Sequence, residues 1–214
     1  MAPRSAALVV LERMSSGMSA TRRARLTPLH VGVIARGDDL ASAAAAQVRA
    51  LLGDDAGEQV RRALSGGLAD HDARPAGYAG TRCAAPAPRG ATLEAGGVTC
   101  CFIGEENLLA DAWDENGSRA QRVAVHEFGH AVERLALTAA ERMTLSGIHR
   151  VNLARRGARA RDSAGAGEFF AESGEAWFGV HQLAPLAGGH GPEFFRSRLP
   201  SMAAFLERVY GPAR

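Results

Sequence analysis

The feature that most constrains this chain is a His-Glu-Phe-Gly-His string inside a long segment without helix-breaking residues. The segment 119–137 contains no proline and only one glycine, Gly129, and it is apolar on both sides of the string. Asn116-Gly117-Ser118 precedes it as a turn with a candidate N-cap, which predicts one helix over 119–137. Residues at i and i+4 project from the same face of a helix. His126 and His130 are therefore expected to lie one turn apart on the same, largely buried side.

Two imidazoles at this spacing can bind one metal ion, and the carboxylate of Glu127 then points toward the adjoining open position. Zinc lowers the pKa of a bound water from about 15.7 toward 7, and a carboxylate beside it can accept the remaining proton and pass it to a leaving amine. A buried histidine pair without a ligand would carry a desolvation cost, which argues against chance occurrence. The motif predicts a Zn²⁺ site with Glu127 as general base.

The third protein ligand that catalytic zinc usually has must come from elsewhere in the chain. The metzincin arrangement needs a histidine at position 136, which is Ala136, and the inverted order His-x-x-Glu-His is absent. A glutamate from a second helix remains, and such a helix is predicted from Glu168 to about His181. Glu168, Glu172 and Glu175 share one face of it. Acids on one helix face are commonly just its solvated side, so spacing alone leaves the choice among them open.

The two motifs together resemble a known family. A Glu-Phe-Phe-Ala-Glu string over 168–172, following a His-Glu-Phe-Gly-His that continues into Ala-Val, is similar to the C-terminal catalytic domain of anthrax lethal factor and its relatives, zinc endopeptidases of the gluzincin type. The string 104–109, Gly-Glu-Glu-Asn-Leu-Leu, also resembles a stretch of lethal-factor-like domains. The resemblance spans about residues 30 to 210 and implies a compact α+β zincin-like fold. It also implies that Glu168 is the third zinc ligand and that Glu172 orients a ligand histidine.

One position departs from the family pattern. The family carries a catalytic tyrosine seven residues before the ligand glutamate, and in this chain that position is Arg161. Losing one oxyanion donor costs a factor of about 10²–10³ in turnover. Arg161, His149 and Tyr78 are the candidates to stabilise the oxyanion instead. The alternative to a peptidase is a catalytically weak or inactive zinc-bound module that binds a peptide or protein.

The remaining segments favour a single α+β domain with strands early and helices late, as 214 residues allow. The β-branched string 29–34 and the apolar run 98–103 are predicted to pair as strands. Helices are predicted over 39–64, with an interruption near residues 53–55, and from about 200 to 211. The stretch 65–97 is rich in Gly, Pro and Ala and is predicted to be a long loop.

The first 26 residues contain five arginines, several serines and one acid, Glu12, a composition shared by organellar transit segments and disordered leaders. We therefore expect a flexible leader over 1–26 and one zincin-like metallopeptidase domain over 27–214. No apolar run reaches the roughly 18 residues of a membrane span, and none is long enough for a signal-peptide core.

The net charge of +2 gives no overall field that would attract nucleic acid. The expected partner is a peptide or protein substrate, with no nucleic acid and no membrane span, and the expected state is a monomer. Three cysteines exclude a dense disulfide scaffold. Cys83, Cys100 and Cys101 are expected to be free buried thiols, with one bridge from Cys83 to either of the other two as the alternative.

Overall fold

The computed structural model describes residues 2–35, 37–71, 90–108, 118–156, 165–180 and 192–212, without the side chains of 66–71, 106, 118–120, 155 and 156. The strands in these ranges are β1 (His30–Ile34), β2 (Gly90–Ala95) and β3 (Val98–Gly104). The helices are α1 (Pro3–Ser15), α2 (Ala20–Ala24), α3 (Leu40–Leu52), α4 (Asp54–His71), α5 (Ser118–Ala131), α6 (Ala139–Arg156), α7 (Ala166–Trp177), α8 (Pro192–Arg198) and α9 (Pro200–Tyr210). The described part of the chain is mixed α+β, as predicted, and it is mostly helical.

The sheet has the order β1-β3-β2, so that β3 is central. β1 runs parallel to β3, with Val31 opposite Cys101, which confirms the predicted pairing of these two strands. β2 runs antiparallel on the other side of β3, with Thr92 opposite Cys101. The side chains of β3 alternate between two clusters of buried residues, because successive residues of a strand point to opposite faces. The sheet therefore lies between α3 and α4 on one face and α1, α5, α7 and α9 on the other.

β2 and the last residues of α4, 65–71, lie in the stretch 65–97 that was predicted to be a loop, and this prediction was wrong for both. β2 joins β3 through Gly96 and Gly97, both with positive φ (55° and 75°). Two consecutive residues with positive φ are what a tight two-residue hairpin requires, and glycine adopts them without strain. Residues 72–89, which include Tyr78 and Cys83, lie outside the described residues.

The N-terminal segment does not fit the expected flexible leader. It forms α1 and α2, and one side of α1 packs into the main core through Ala6, Ala7, Val10 and Met14. Apolar residues at this spacing share one face of a helix. Because two of them are alanines, the apolar pattern that would predict this helix from the sequence is weak. The segment also meets the end of α9, where a Cβ on Gly17 would lie 2.1 Å from the carbonyl oxygen of Tyr210.

The helix predicted over 119–137 is present, but it changes geometry after α5. Val132–Ala136 forms one π-helical turn, which the Leu137 N–H closes by donating to the Val132 carbonyl. The second predicted helix is α7, which begins before Glu168 and ends at Trp177 rather than near His181. The last predicted helix matches α9. None of the described helices is long and apolar enough to cross a membrane.

Candidate metal centre

α5 and α7 lie side by side, and a glycine sets how closely they approach. A Cβ on Gly129 would lie 3.0 Å from the Cα of Ala171, so any side chain there would push the two helices apart. α7 is held in place by Phe170, which is fully buried and stacks on the ring of Tyr210. This packing brings Glu168, in the first turn of α7, opposite the histidine pair of α5.

Three donor atoms converge at this point. His126 Nε2 lies 3.1 Å from His130 Nε2 and 3.1 Å from Glu168 Oε1, and His130 Nε2 lies 3.2 Å from Glu168 Oε2. Two ligands that each lie about 2.1 Å from a tetrahedral zinc ion are about 3.4 Å apart, so the observed spacing is close to that of a zinc site. Two imidazole nitrogens and one carboxylate also form a donor set known from catalytic zinc. The residues present therefore fit the metal.

The charges around this cluster favour a cation. Burial alone would lower the pKa of His126, but its hydrogen bonds with Glu168 and Glu175 outweigh burial and raise the pKa to about 10. Burial alone would raise the pKa of Glu168, but the two histidines hold it far below its usual value. The carboxylates thus stabilise positive charge on or between the imidazoles, which a divalent metal ion also supplies.

The orientation of His126 is set by Glu175, and this corrects the assignment to Glu172. Glu175 Oε1 lies 2.7 Å from His126 Nδ1, and Glu175 Oε2 accepts from Arg122 Nε at 2.6 Å. Glu175 is 1% exposed, whereas Glu172 is exposed and makes no such bond. With the Nδ1 proton donated to Glu175, Nε2 keeps its lone pair for the cluster. The sequence signal for this arrangement is Arg122, one helical turn before His126.

Glu127 is 8% exposed and faces β2. The hydroxyl of Thr92 lies 2.9 Å from Glu127 Oε2 and 2.9 Å from the Glu127 backbone oxygen. A Cβ on Gly90 would lie 2.9 Å from Glu127 Cγ, so the strand approaches the glutamate closely where it has no side chain. The sequence analysis missed both Thr92 and Gly90 because they belong to the strand that was predicted to be a loop.

Of the candidate oxyanion groups, the structure describes only His149. Its ring stacks on Phe169, with the ring centroids 5.2 Å apart, and it is partly buried beside the helix that carries Glu168. No contact joins it to the three donor atoms in the described part of the chain. Arg161 and Tyr78 lie outside the described residues. Cys100 and Cys101 are free and buried, as expected.

Comparisons with models of known protein families, with curated proteins and with solved structures found no match. The function is therefore argued from this chain's own residues. The resemblance to the lethal factor family stays a hypothesis that rests on the two motifs, 126–130 and 168–172.

Proposed function

We propose that the protein is a zinc-dependent endopeptidase, similar in plan to the lethal-factor-like gluzincins. The observation that carries this proposal is the convergence of His126, His130 and Glu168 from two helices, with Glu127 next to the first histidine. Three protein ligands leave a fourth position for water or substrate, which distinguishes catalytic from structural zinc sites. Among the described residues, no fourth ligand joins this group.

Each residue of the site has a distinct part in peptide hydrolysis. When bound, zinc supplies Lewis acidity toward a carbonyl oxygen and toward water. Glu127 accepts the proton of the attacking water and delivers it to the leaving amine. Glu175 keeps His126 in the tautomer whose Nε2 is free to bind the metal, and Arg122 balances the charge of Glu175. This arrangement supports peptide-bond cleavage without a covalent enzyme intermediate.

The metal is tested first, by elemental analysis of purified protein. We expect one zinc per chain in the wild type and loss of stoichiometric zinc in His126→Ala and in Glu168→Ala, because two ligands are too few for a stable site. His149→Ala is the control, since that residue touches none of the donor atoms, and it is expected to keep zinc. Full zinc retention by the double variant His126→Ala/His130→Ala would move the metal to another part of the chain.

The reaction is tested with a broad peptide library and mass spectrometry. Glu127→Gln keeps the size of the side chain and is expected to keep zinc, but losing the base should lower turnover by about 10²–10⁴-fold. Glu94→Gln is the matched control, because it makes the same change at an exposed position of β2. If zinc-loaded wild type and Glu127→Gln both fail to cleave any peptide, the protein is a zinc-bound binding module instead.

A further inference from the structure

The strand β2 supplies one hydroxyl to the proposed base. Thr92 is opposite Cys101 of β3 in the sheet, and its side chain reaches the helix α5 rather than solvent. Its neighbour two residues earlier, Gly90, has no side chain to keep the strand away from Glu127. At Gly90 the strand therefore lies directly against the side chains of Val123 and Glu127.

The Thr92 hydroxyl contacts both the backbone carbonyl and the side-chain carboxylate of Glu127. Its oxygen lies 2.9 Å from the backbone carbonyl oxygen and 2.9 Å from Oε2 of the same glutamate. A glutamate side chain has three rotatable torsions, and a contact at both of its ends restricts them together. A hydroxyl has one hydrogen to donate, so the two acceptors share it.

The second carboxylate oxygen of Glu127, Oε1, lies on the side of Gly90. A Cβ at that position would lie 3.1 Å from Glu127 Oε1, so a larger residue would crowd this oxygen. Oε2 is bound by Thr92, whereas Oε1 lies beside the backbone of Gly90. The two carboxylate oxygens therefore have different surroundings, since only Oε2 has a hydrogen-bond donor among the described residues.

The position of Thr92 is in turn supported by Cys101. This thiol is fully buried and belongs to the residue directly opposite Thr92 in the sheet. Burial raises the pKa of Cys101 well above its usual value, so the sulfur keeps its proton. A neutral thiol therefore adds no charge beside Thr92 and Glu127.

We infer that Thr92 is the positioning residue of Glu127, holding its side chain in place through Oε2 and its backbone through the carbonyl oxygen. The inference rests on the proposed peptidase function for its effect on turnover. The placement of the Glu127 carboxylate by Thr92 does not depend on that function and can be measured separately.

The kinetic test compares Thr92→Val, which is nearly isosteric but has no hydroxyl, with Thr92→Ser, which keeps it. We expect Thr92→Val to lower kcat by about 10–100-fold with little change in KM and with zinc content unchanged, whereas Thr92→Ser recovers most of the turnover. The matched control is Thr99→Val, the same change at a buried position of β3 that forms no hydrogen bond with Glu127 among the described residues. Wild-type kcat in Thr92→Val, or an equal loss in Thr99→Val, would overturn the inference.

The structural test uses crystal structures of the wild type, Thr92→Val and Thr92→Ser, all without substrate. The expected result is that the Glu127 carboxylate leaves its position or takes several conformers in Thr92→Val and returns in Thr92→Ser. An unchanged Glu127 in Thr92→Val overturns the inference, whether or not the wild type cleaves peptides. Lack of cleavage by the wild type together with a displaced Glu127 in Thr92→Val would instead overturn the peptidase proposal alone.

Discussion

At the scale of single residues, the site depends on a carboxylate that is almost fully buried. Burial alone would raise the pKa of Glu175, but the hydrogen bond with His126 and the charge of Arg122 lower it below its usual value. A buried charge of this kind is tolerated only where partners satisfy it. Glu175 of α7 therefore links His126 to Arg122, a cation one turn earlier on the helix α5.

Glu175→Gln removes the charge but keeps an oxygen that can accept the Nδ1 proton of His126. We expect its zinc affinity to fall about 10–100-fold, because the partner that makes the histidine more basic is neutral in this variant. Competition with a chelator of known affinity measures the change. Glu172→Gln, on the exposed side of the same helix, is the control and is expected to bind zinc as the wild type does. A larger loss in Glu172→Gln would restore the assignment made from the sequence.

The residues of the site differ in how far sequence could predict them. His126, Glu127 and His130 follow from local spacing along one helix, and Glu168 followed from the paired motifs. Glu175 could not be separated from its neighbours, because residues at i, i+4 and i+7 share a face and only the position of α5 decides which one meets the histidine. Thr92 reaches Glu127 through a sheet–helix contact that no local pattern encodes.

At the scale of elements, the start of α6 is fixed by a reciprocal pair of side chain–backbone hydrogen bonds. The Thr138 N–H donates to Glu141 Oε2 at 2.8 Å, and the Glu141 N–H donates to Thr138 Oγ1 at 3.2 Å. This is the capping box, in which two otherwise unpaired N–H groups are satisfied at once. Glu141 also pairs with Arg22 of α2 at 2.6 Å, so the cap joins α6 to the N-terminal segment.

Glu141→Gln tests this junction through its pH dependence. Burial alone would raise the pKa of Glu141, but the Thr138 hydrogen bonds and Arg22 lower it below the ordinary value of 4.5. A lowered pKa means that the carboxylate stabilises the fold above the ordinary pKa and that this stability disappears as the pH falls through the lowered pKa. Wild type is therefore expected to melt at a higher temperature than Glu141→Gln at pH 7, with the difference shrinking in acid.

Thermal unfolding followed by circular dichroism at pH 7 and at about pH 3 measures this difference. Glu94→Gln is again a suitable control, because its exposed carboxylate belongs to neither the cap nor the ion pair. A melting difference for Glu141→Gln that stays the same at both pH values would show that packing, rather than charge, produces the effect.

The helices and strands that the sequence predicted have a clear apolar pattern of their own, whereas the missed strand depends on pairing with its neighbour. α5, α7 and α9 carry apolar residues at helical spacing, and β1 and β3 are β-branched or apolar runs, so local pattern was sufficient. β2 reads Gly-Ala-Thr-Leu-Glu-Ala and becomes a strand through its pairing with β3 across the Gly96-Gly97 turn. β2 is a strand because it pairs with β3, and its own residue composition does not predict a strand.

At the scale of the whole molecule, the N-terminal helices connect elements that are far apart in the sequence. Arg13 of α1 donates to the Phe178 carbonyl at the end of α7 and to Gln121 of α5, and α1 also packs on β1. The same face of α1 contributes to the core cluster that contains Phe128, which lies between His126 and His130 in the sequence of α5. The segment expected to be a leader therefore supports both helices of the site.

Met14→Ala tests whether the N-terminal segment is a flexible leader or a packed part of the core. Met14 is 1% exposed in the main core, and replacing such a residue by alanine costs about 2–5 kcal/mol, whereas truncation in a flexible leader costs almost nothing. Leu8→Ala on the same helix is the matched control, because Leu8 is 56% exposed and should change the free energy of unfolding by less than about 0.5 kcal/mol. Urea unfolding of wild type and both variants measures these free energies. Equal, negligible effects of the two substitutions would show that the N-terminal segment is not part of the folded core, and would also remove the support that Arg13 gives to α7.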